Sequence, residues 1–191
     1  MPFRFEVRVS GEGGQGLVLA GRVLAEAAAI YAGLNATQSQ SYGPEARGGM
    51  SRSEVILSDG DIDYPKAVHV DLLLALTQVA FDAYVKDLRP EGVAVLESRV
   101  QPPPDAPYRV VQAPILKLAE ERVGRLLFAN MVSIGMMAPF IPMLPEDALR
   151  ASIAARVPKG TVEKNLLAFS VGLEAAAQAA ALAAGESGAR R

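Results

Sequence analysis

Phe3, Phe5, Val7 and Val9 alternate with Arg4, Glu6 and Arg8, the two-residue period of a strand with one face toward a core. The strand ends at Ser10. Gly11-Glu12-Gly13-Gly14-Gln15-Gly16 then forms a glycine-rich turn into an Ala- and Leu-rich helix, Leu17–Tyr31, with Gly33 placed to cap it. Asn35–Ser53 has little apolar period and reads mostly as loop, and Glu54–Ser58 returns to strand until Gly60. Val70–Leu76 is a nearly unbroken apolar run, which marks a central strand covered on both faces. Helix is expected over Gln78–Leu88, a turn at Arg89–Gly92, and strands over Val93–Leu96 and Tyr108–Gln112. Gln101–Pro107 carries four prolines and must be an extended surface loop. Helices follow over Ile115–Val123, Asn130–Phe140, Glu146–Arg156 and Thr161–Ala184, and the tail Gly185–Arg191 is expected to be disordered.

Strands alternating with helices, without internal repeat, predict one α/β domain over residues 1–184: a Rossmann-like, mostly parallel sheet with helices on both faces. Ligands of such sheets bind at the carboxyl edge of the strands. Leu126–Leu144 is uncharged, but its prolines and polar residues favour a buried helix with a kinked end over a membrane span. The C-terminal helix has only Glu163, Lys164 and Glu174 as charges between Val162 and Ala184, a bare face that suits either another chain or internal burial.

Composition narrows the chemistry. The 191 residues include 32 alanines, so a modest set of larger aliphatics must build the core. Nineteen basic and twenty-one acidic side chains leave −2, too balanced for a phosphate backbone or an anionic bilayer. With no cysteine there is no disulfide, thiolate nucleophile or cysteine-held iron–sulfur cluster, and the single His69 cannot furnish a multi-histidine metal site. Charges alternate through the first ten residues, unlike an export signal, so a cytoplasmic location is expected.

Gly11, Gly13 and Gly16 match G-x-G-x-x-G between a predicted strand and a predicted helix, a context suited to binding an anion at the helix start. The ribose-binding acid of a dinucleotide site is missing, since no carboxylate lies between Glu26 and Glu45, and no Gly-Lys-Ser/Thr follows to make a P-loop. Glu12 would repel a pyrophosphate, while Gln15 offers an amide at the helix start. The other reading is that the glycines simply permit close packing of strand, turn and helix.

Gln38–Ser51 is a second concentration of polar, aromatic and glycine residues and is expected on the same ligand edge. Arg47 suits a carboxylate or phosphate, with Glu45 nearby, and Gly48-Gly49 admit a close backbone; a solvated loop is the alternative. His69 is expected to be a hydrogen-bonded structural residue. Asp71, inside an apolar run, must be paired or lie near water at a strand end, and Met131, Met136, Met137 and Met143 fill core.

The two loops together resemble the gamma subunit, or equivalent domain, of the 2-oxoacid:ferredoxin oxidoreductases. The likeness rests on G-E-G-G-Q-G-L-V-L-A-G (Gly11–Gly21), S-Y-G-P-E-A-R-G-G (Ser41–Gly49) followed by S-R-S-E-V-I-L-S, V-D-L-L-L-A-L-T (Val70–Thr77) and N-M-V-S-I-G (Asn130–Gly135). It implies a heteromeric complex that converts a 2-oxoacid and coenzyme A to acyl-CoA, carbon dioxide and reduced ferredoxin. Thiamine diphosphate, magnesium and iron–sulfur clusters would then sit on partner chains, since this chain has neither cysteine nor the G-D-G and Asn-Asn thiamine signature. The isolated chain would be inactive. The S-Y-G-P-E-A-R-G-G form is similar to the 2-oxoglutarate branch more than to the pyruvate or indolepyruvate branches, with a pyruvate or branched-chain/indolepyruvate member of the same family as the alternative. The residues expected to shape a coenzyme A or substrate cleft are Gly11, Gly13, Gly14, Gln15, Gly16, Ser41, Tyr42, Arg47, Gly48 and Gly49. No catalytic or metal residue is assigned to this chain. Its expected partners are the catalytic subunits and, through the complex, ferredoxin. The competing readings are a stand-alone NAD(P)- or flavin-dependent reductase and a scaffold without ligand contact.

Overall fold

A computed structural model describes residues 2–42 and 50–188. One sheet contains β1 (Arg4–Glu12), β2 (Asn35–Tyr42), β3 (Met50–Ser58), β4 (Val70–Ala75), β5 (Leu88–Glu97) and β6 (Arg109–Ala113), in the order β2-β3-β1-β4-β5-β6. β1, β4, β5 and β6 pair in parallel, whereas β3 runs antiparallel to both β1 and β2. The sheet is therefore mixed.

The stretch read as loop from Asn35 is the edge strand β2, and β3 begins earlier than Glu54. N-A-T-Q-S-Q-S-Y has no large aliphatic side chain to give a period, and backbone pairing to β3 holds it in place. The turn expected at Arg89–Gly92 is instead the irregular start of β5, where the pairing register with β4 shifts. A Cβ on Gly92 would stand 2.9 Å from the Asp71 carbonyl, so glycine there permits a close strand approach rather than a reversal.

One face of the sheet carries Val7, Val9, Val55, Leu57, Leu72 and Leu74. It is covered by α1 (Leu17–Glu26, continued by a π-helical turn Ala27–Tyr31), α4 (Ala129–Met137), α5 (Glu146–Arg156) and α6 (Val162–Gly188). On the other face Val70, Leu73, Ala75 and Leu96 pack with Phe81 of α2 (Gln78–Tyr84) and with Val100. Between β6 and α4, α3 (Ile115–Leu118) runs into a second π-helical turn, Ala119–Val123.

Leu126–Leu144 is not a span: every residue of α4 is buried, and a turn of 3-10 helix containing Pro139 ends it. α4 lies against α6 at backbone distance, since a Cβ on Gly135 would stand 2.0 Å from the Phe169 carbonyl and one on Gly172 2.0 Å from that of Val132. α6 thus has an internal partner over this stretch. It continues past Ala184, so Gly185–Gly188, expected in a disordered tail, are helical.

β1 departs from the one-sided strand its pattern suggests. Its polar face is also covered, with Glu6 and Arg8 each only 2% exposed. Arg8 donates to Glu54 Oε1 at 2.9 Å, to Asp87 and to the Ala67 carbonyl, and its guanidinium lies 5.2 Å from the Tyr84 ring centre. Glu6 accepts from the backbone N–H groups of Val68 and His69 at 2.6 and 2.8 Å. Alternation correctly separated the two faces of β1; burial of the polar one came from α2, the turn after it and the 59–69 segment.

Candidate functional site

β1 delivers its carboxyl end into the glycine turn, and α1 leaves it. Gly14 (φ 90°) and Gly16 (φ 74°) occupy the left-handed region that admits glycine without strain. The turn is held from inside: Gln15 donates its N–H to the Glu12 carbonyl, and its Oε1 accepts the Glu12 N–H at 2.7 Å. That side chain folds back over Gly11, where a Cβ would meet Gln15 Oε1 at 2.2 Å. Gln15 closes the turn rather than extending toward a ligand. Gly16 caps α1 without a side-chain bond, and no acidic residue sits in the first turn, so its leading N–H groups and dipole are unneutralised by the chain there. Gly13 and Gly14 are exposed, with nothing within 4 Å of the position a Gly14 Cβ would take. Close packing and an open donor surface therefore coexist: Gly11, Gly16 and Gly21 do the first, Gly13 and Gly14 present the second.

The second loop leaves the sheet at the same edge. Tyr42 pairs with Ser51 of β3, and Ser51 pairs with Gly11 of β1. Two strand spacings, about 10 Å, therefore separate the start of the second loop from the glycine turn. Ser41 is exposed, opposite Arg52. Arg47, Gly48 and Gly49, with Glu45 and the rest of 43–49, lie outside the described residues.

This topology disposes of the dinucleotide reading. A ribose-binding acid must sit at the end of the strand beside β1, yet antiparallel β3 occupies that place and displaces β2 outward. Asn35–Tyr42 supplies no carboxylate in any case.

Asn130 lies in the N-M-V-S-I-G segment, outside the residues expected to shape the cleft. It is 3% exposed, and its Nδ2 donates to the Gly16 carbonyl at 3.4 Å, tying α4 to the base of the glycine turn. A buried amide opening an apolar window was the available signal. Asn130 also lines a cleft of about 180 Å³ with Leu19, Arg125, Leu127, Phe128 and Thr161, beside which Leu126 and Leu127 are 53% and 63% exposed. A larger cleft, about 510 Å³, lies at the opposite, amino edge of the sheet, lined by Phe3, Arg4, Tyr64 and His69 among others.

Asp71 accepts the Glu6 N–H at 2.8 Å and faces Arg89 at 3.3 Å. Burial raises its carboxyl above the ordinary value, opposed by that N–H and by Arg89. His69 serves through its backbone, donating to Glu6 and accepting from Arg89. Both belong to the amino edge, away from the glycine turn. The donor set does not fit an iron–sulfur cluster, because the sequence has no cysteine. Among the described residues no three His, Asp or Glu side chains gather as metal ligands. The carboxyl edge offers backbone donors, a lined cleft and apolar surface.

The family described as pyruvate ferredoxin/flavodoxin oxidoreductase matches residues 6–175. The 2-oxoglutarate synthase subunit KorC of Methanocaldococcus jannaschii is 42% identical over 176 residues, which cover 91% of this chain and 94% of that protein. The solved gamma subunit of a keto/oxoacid ferredoxin oxidoreductase from Geobacter sulfurreducens is 45% identical with a TM-score of 0.85, covering 93% of this chain and 98% of that one. The 2-oxoglutarate:ferredoxin oxidoreductase of Magnetococcus marinus, solved with 2-oxoglutarate, coenzyme A and succinyl-CoA bound, shares the fold. Its TM-score is 0.82 at 22% identity, over 92% of this chain and 31% of that chain.

Proposed function

Because this chain belongs to the pyruvate ferredoxin/flavodoxin oxidoreductase family, we propose that it is the gamma-type subunit of a complex that oxidises 2-oxoglutarate. The complex takes 2-oxoglutarate and coenzyme A to succinyl-CoA and carbon dioxide, and the electrons leave to ferredoxin. The 2-oxoglutarate assignment is supported by identity to the archaeal synthase subunit along nearly its whole length. Thiamine diphosphate, magnesium and the clusters belong on partner chains, where they supply carbanion stabilisation and electron transfer; this chain has no cysteine with which to hold a cluster.

The contribution of this chain is a wall of the coenzyme A and substrate cleft. One observation carries the reading: Gln15 and Asn130 hold the glycine turn from within, leaving Gly13 and Gly14 exposed beside the start of α1, which no side chain caps, at the edge where the second loop begins. Backbone N–H groups in that position hold anionic oxygens without flexible side chains to order. Arg47 adds a planar cationic donor from the second loop. Leu127 and Phe128 give the adjoining cleft an apolar wall, and exposed Leu126 offers surface to a catalytic partner.

The test is the assembled complex, with Arg47→Ala and Gly14→Val in this chain. Each is expected to raise the KM for coenzyme A about tenfold, equivalent to ~1.4 kcal/mol, with the KM for 2-oxoglutarate little changed. An unchanged KM for coenzyme A in both variants refutes the cleft assignment. Oxidation of 2-oxoglutarate by the isolated chain refutes the subunit role, and a higher kcat/KM for pyruvate refutes the substrate.

A further inference from the structure

The two edges of the sheet are finished differently. β6 is five residues long, opens with Arg109 and closely follows Pro107, the usual devices that discourage pairing. β2 has none of them. Its eight residues include no charge and no proline, and its register with β3 runs unbroken from Asn35–Ser58 to Tyr42–Ser51. Among the described residues no strand pairs with its outer side, so that edge presents unused backbone donors and acceptors.

The sequence of β2 also indicates what would pair there. Thr37-Gln38-Ser39-Gln40-Ser41 reads nearly the same in both directions about Ser39. In an antiparallel pair centred on Ser39, Gln38 faces Gln40 of the other strand, Thr37 faces Ser41, and Ser39 faces its own copy. Residues directly opposite share a face, so amide meets amide and hydroxyl meets hydroxyl with no like charges opposed. A charged foreign strand would find no complementary charge on this edge.

Apolar surface adjoins it. The π-helical turn Ala27–Tyr31, which packs against β2, leaves Ile30 65% and Tyr31 43% exposed. A two-fold axis perpendicular to the sheet keeps equivalent faces on the same side and, because the paired strands run antiparallel, sets the two copies of this turn at opposite ends of the β2 pair, roughly 25 Å apart. We infer that β2 is a self-pairing edge: a second copy of this chain adds its own β2 antiparallel across a two-fold axis, joining two six-stranded sheets into one.

The full-length chain, alone and in the complex, tests this by sedimentation velocity and amide hydrogen exchange across the micromolar range. Wild-type chain is expected to sediment as a dimer, with amides in Asn35–Tyr42 exchanging at least tenfold more slowly as concentration rises. Ser39→Lys, which places like charges opposite each other across the two-fold axis, is expected to be monomeric. Wild-type monomer throughout, a lysine variant that stays dimeric, or exchange independent of concentration overturns the inference. So does protection of β2 that appears only when a different subunit is added.

Discussion

Gly16→Ala probes the joint between the glycine turn and the core. The new methyl would occupy a residue at φ 74°, and its Cβ would stand 2.4 Å from Asn130 Nδ2 and 3.0 Å from Cγ. The left-handed conformation alone costs an L-residue roughly 1–2 kcal/mol. Asn130 is 3% exposed and must also move, which leaves a buried amide poorly paired at a further cost of about 1–3 kcal/mol. The sum is roughly 2–5 kcal/mol, or a fall in melting temperature of about 4–20 °C for a chain of this size. Asn130→Ala removes the obstructing side chain at a cost of ~1 kcal/mol. The double variant should therefore be more stable than the sum of the singles by about 1–2 kcal/mol. Urea denaturation of the four proteins measures this coupling. Additivity within ~0.5 kcal/mol would refute the claim that Asn130 seats the turn.

Arg8→Met should destabilise the fold by roughly 3 kcal/mol, the low end for breaking a buried ion pair. It strands Glu54, which keeps only Arg52 at 3.5 Å and Ser39 at 3.4 Å. A loss under ~1 kcal/mol in chemical denaturation would show that Arg52 replaces it. Asp71→Asn separates burial from charge. The folded-state pKa of Asp71 is raised, so its stabilising contribution is complete below the ordinary carboxylate range and is lost as pH rises through the folded value. The stability of Asp71→Asn relative to wild type should therefore increase from acid to neutral pH in denaturation series; a flat or falling difference contradicts the burial account.

β4 was legible as a central strand because Val70–Leu76 is apolar at nearly every position, which only burial on both faces accommodates. The glycine turn was legible because strand, glycines and helix follow one another locally. β2 was not, since hydrophobic period reports burial of side chains whereas an edge strand of small polar residues is held by backbone pairing. Arg4, Glu6 and Arg8 gave β1 its alternation, but a period of two says which side chains share a face and not whether water reaches it. An acid inside an apolar run needs a partner, and those of Asp71, the Glu6 N–H and Arg89, come from elsewhere in the chain.

By itself, then, the order of residues determined the alternation of strands and helices, the glycine turn at Gly11–Gly16 and the lack of any thiol to hold an iron–sulfur cluster. These follow from short-range sterics and from which atoms are present. Tertiary structure alone decided that β3 enters antiparallel between β1 and β2 and that Asn130 reaches Gly16 from 114 positions away. Those outcomes depend on long-range backbone pairing and helix packing, in which residues far apart in the chain satisfy one another's polar groups and exclude water together.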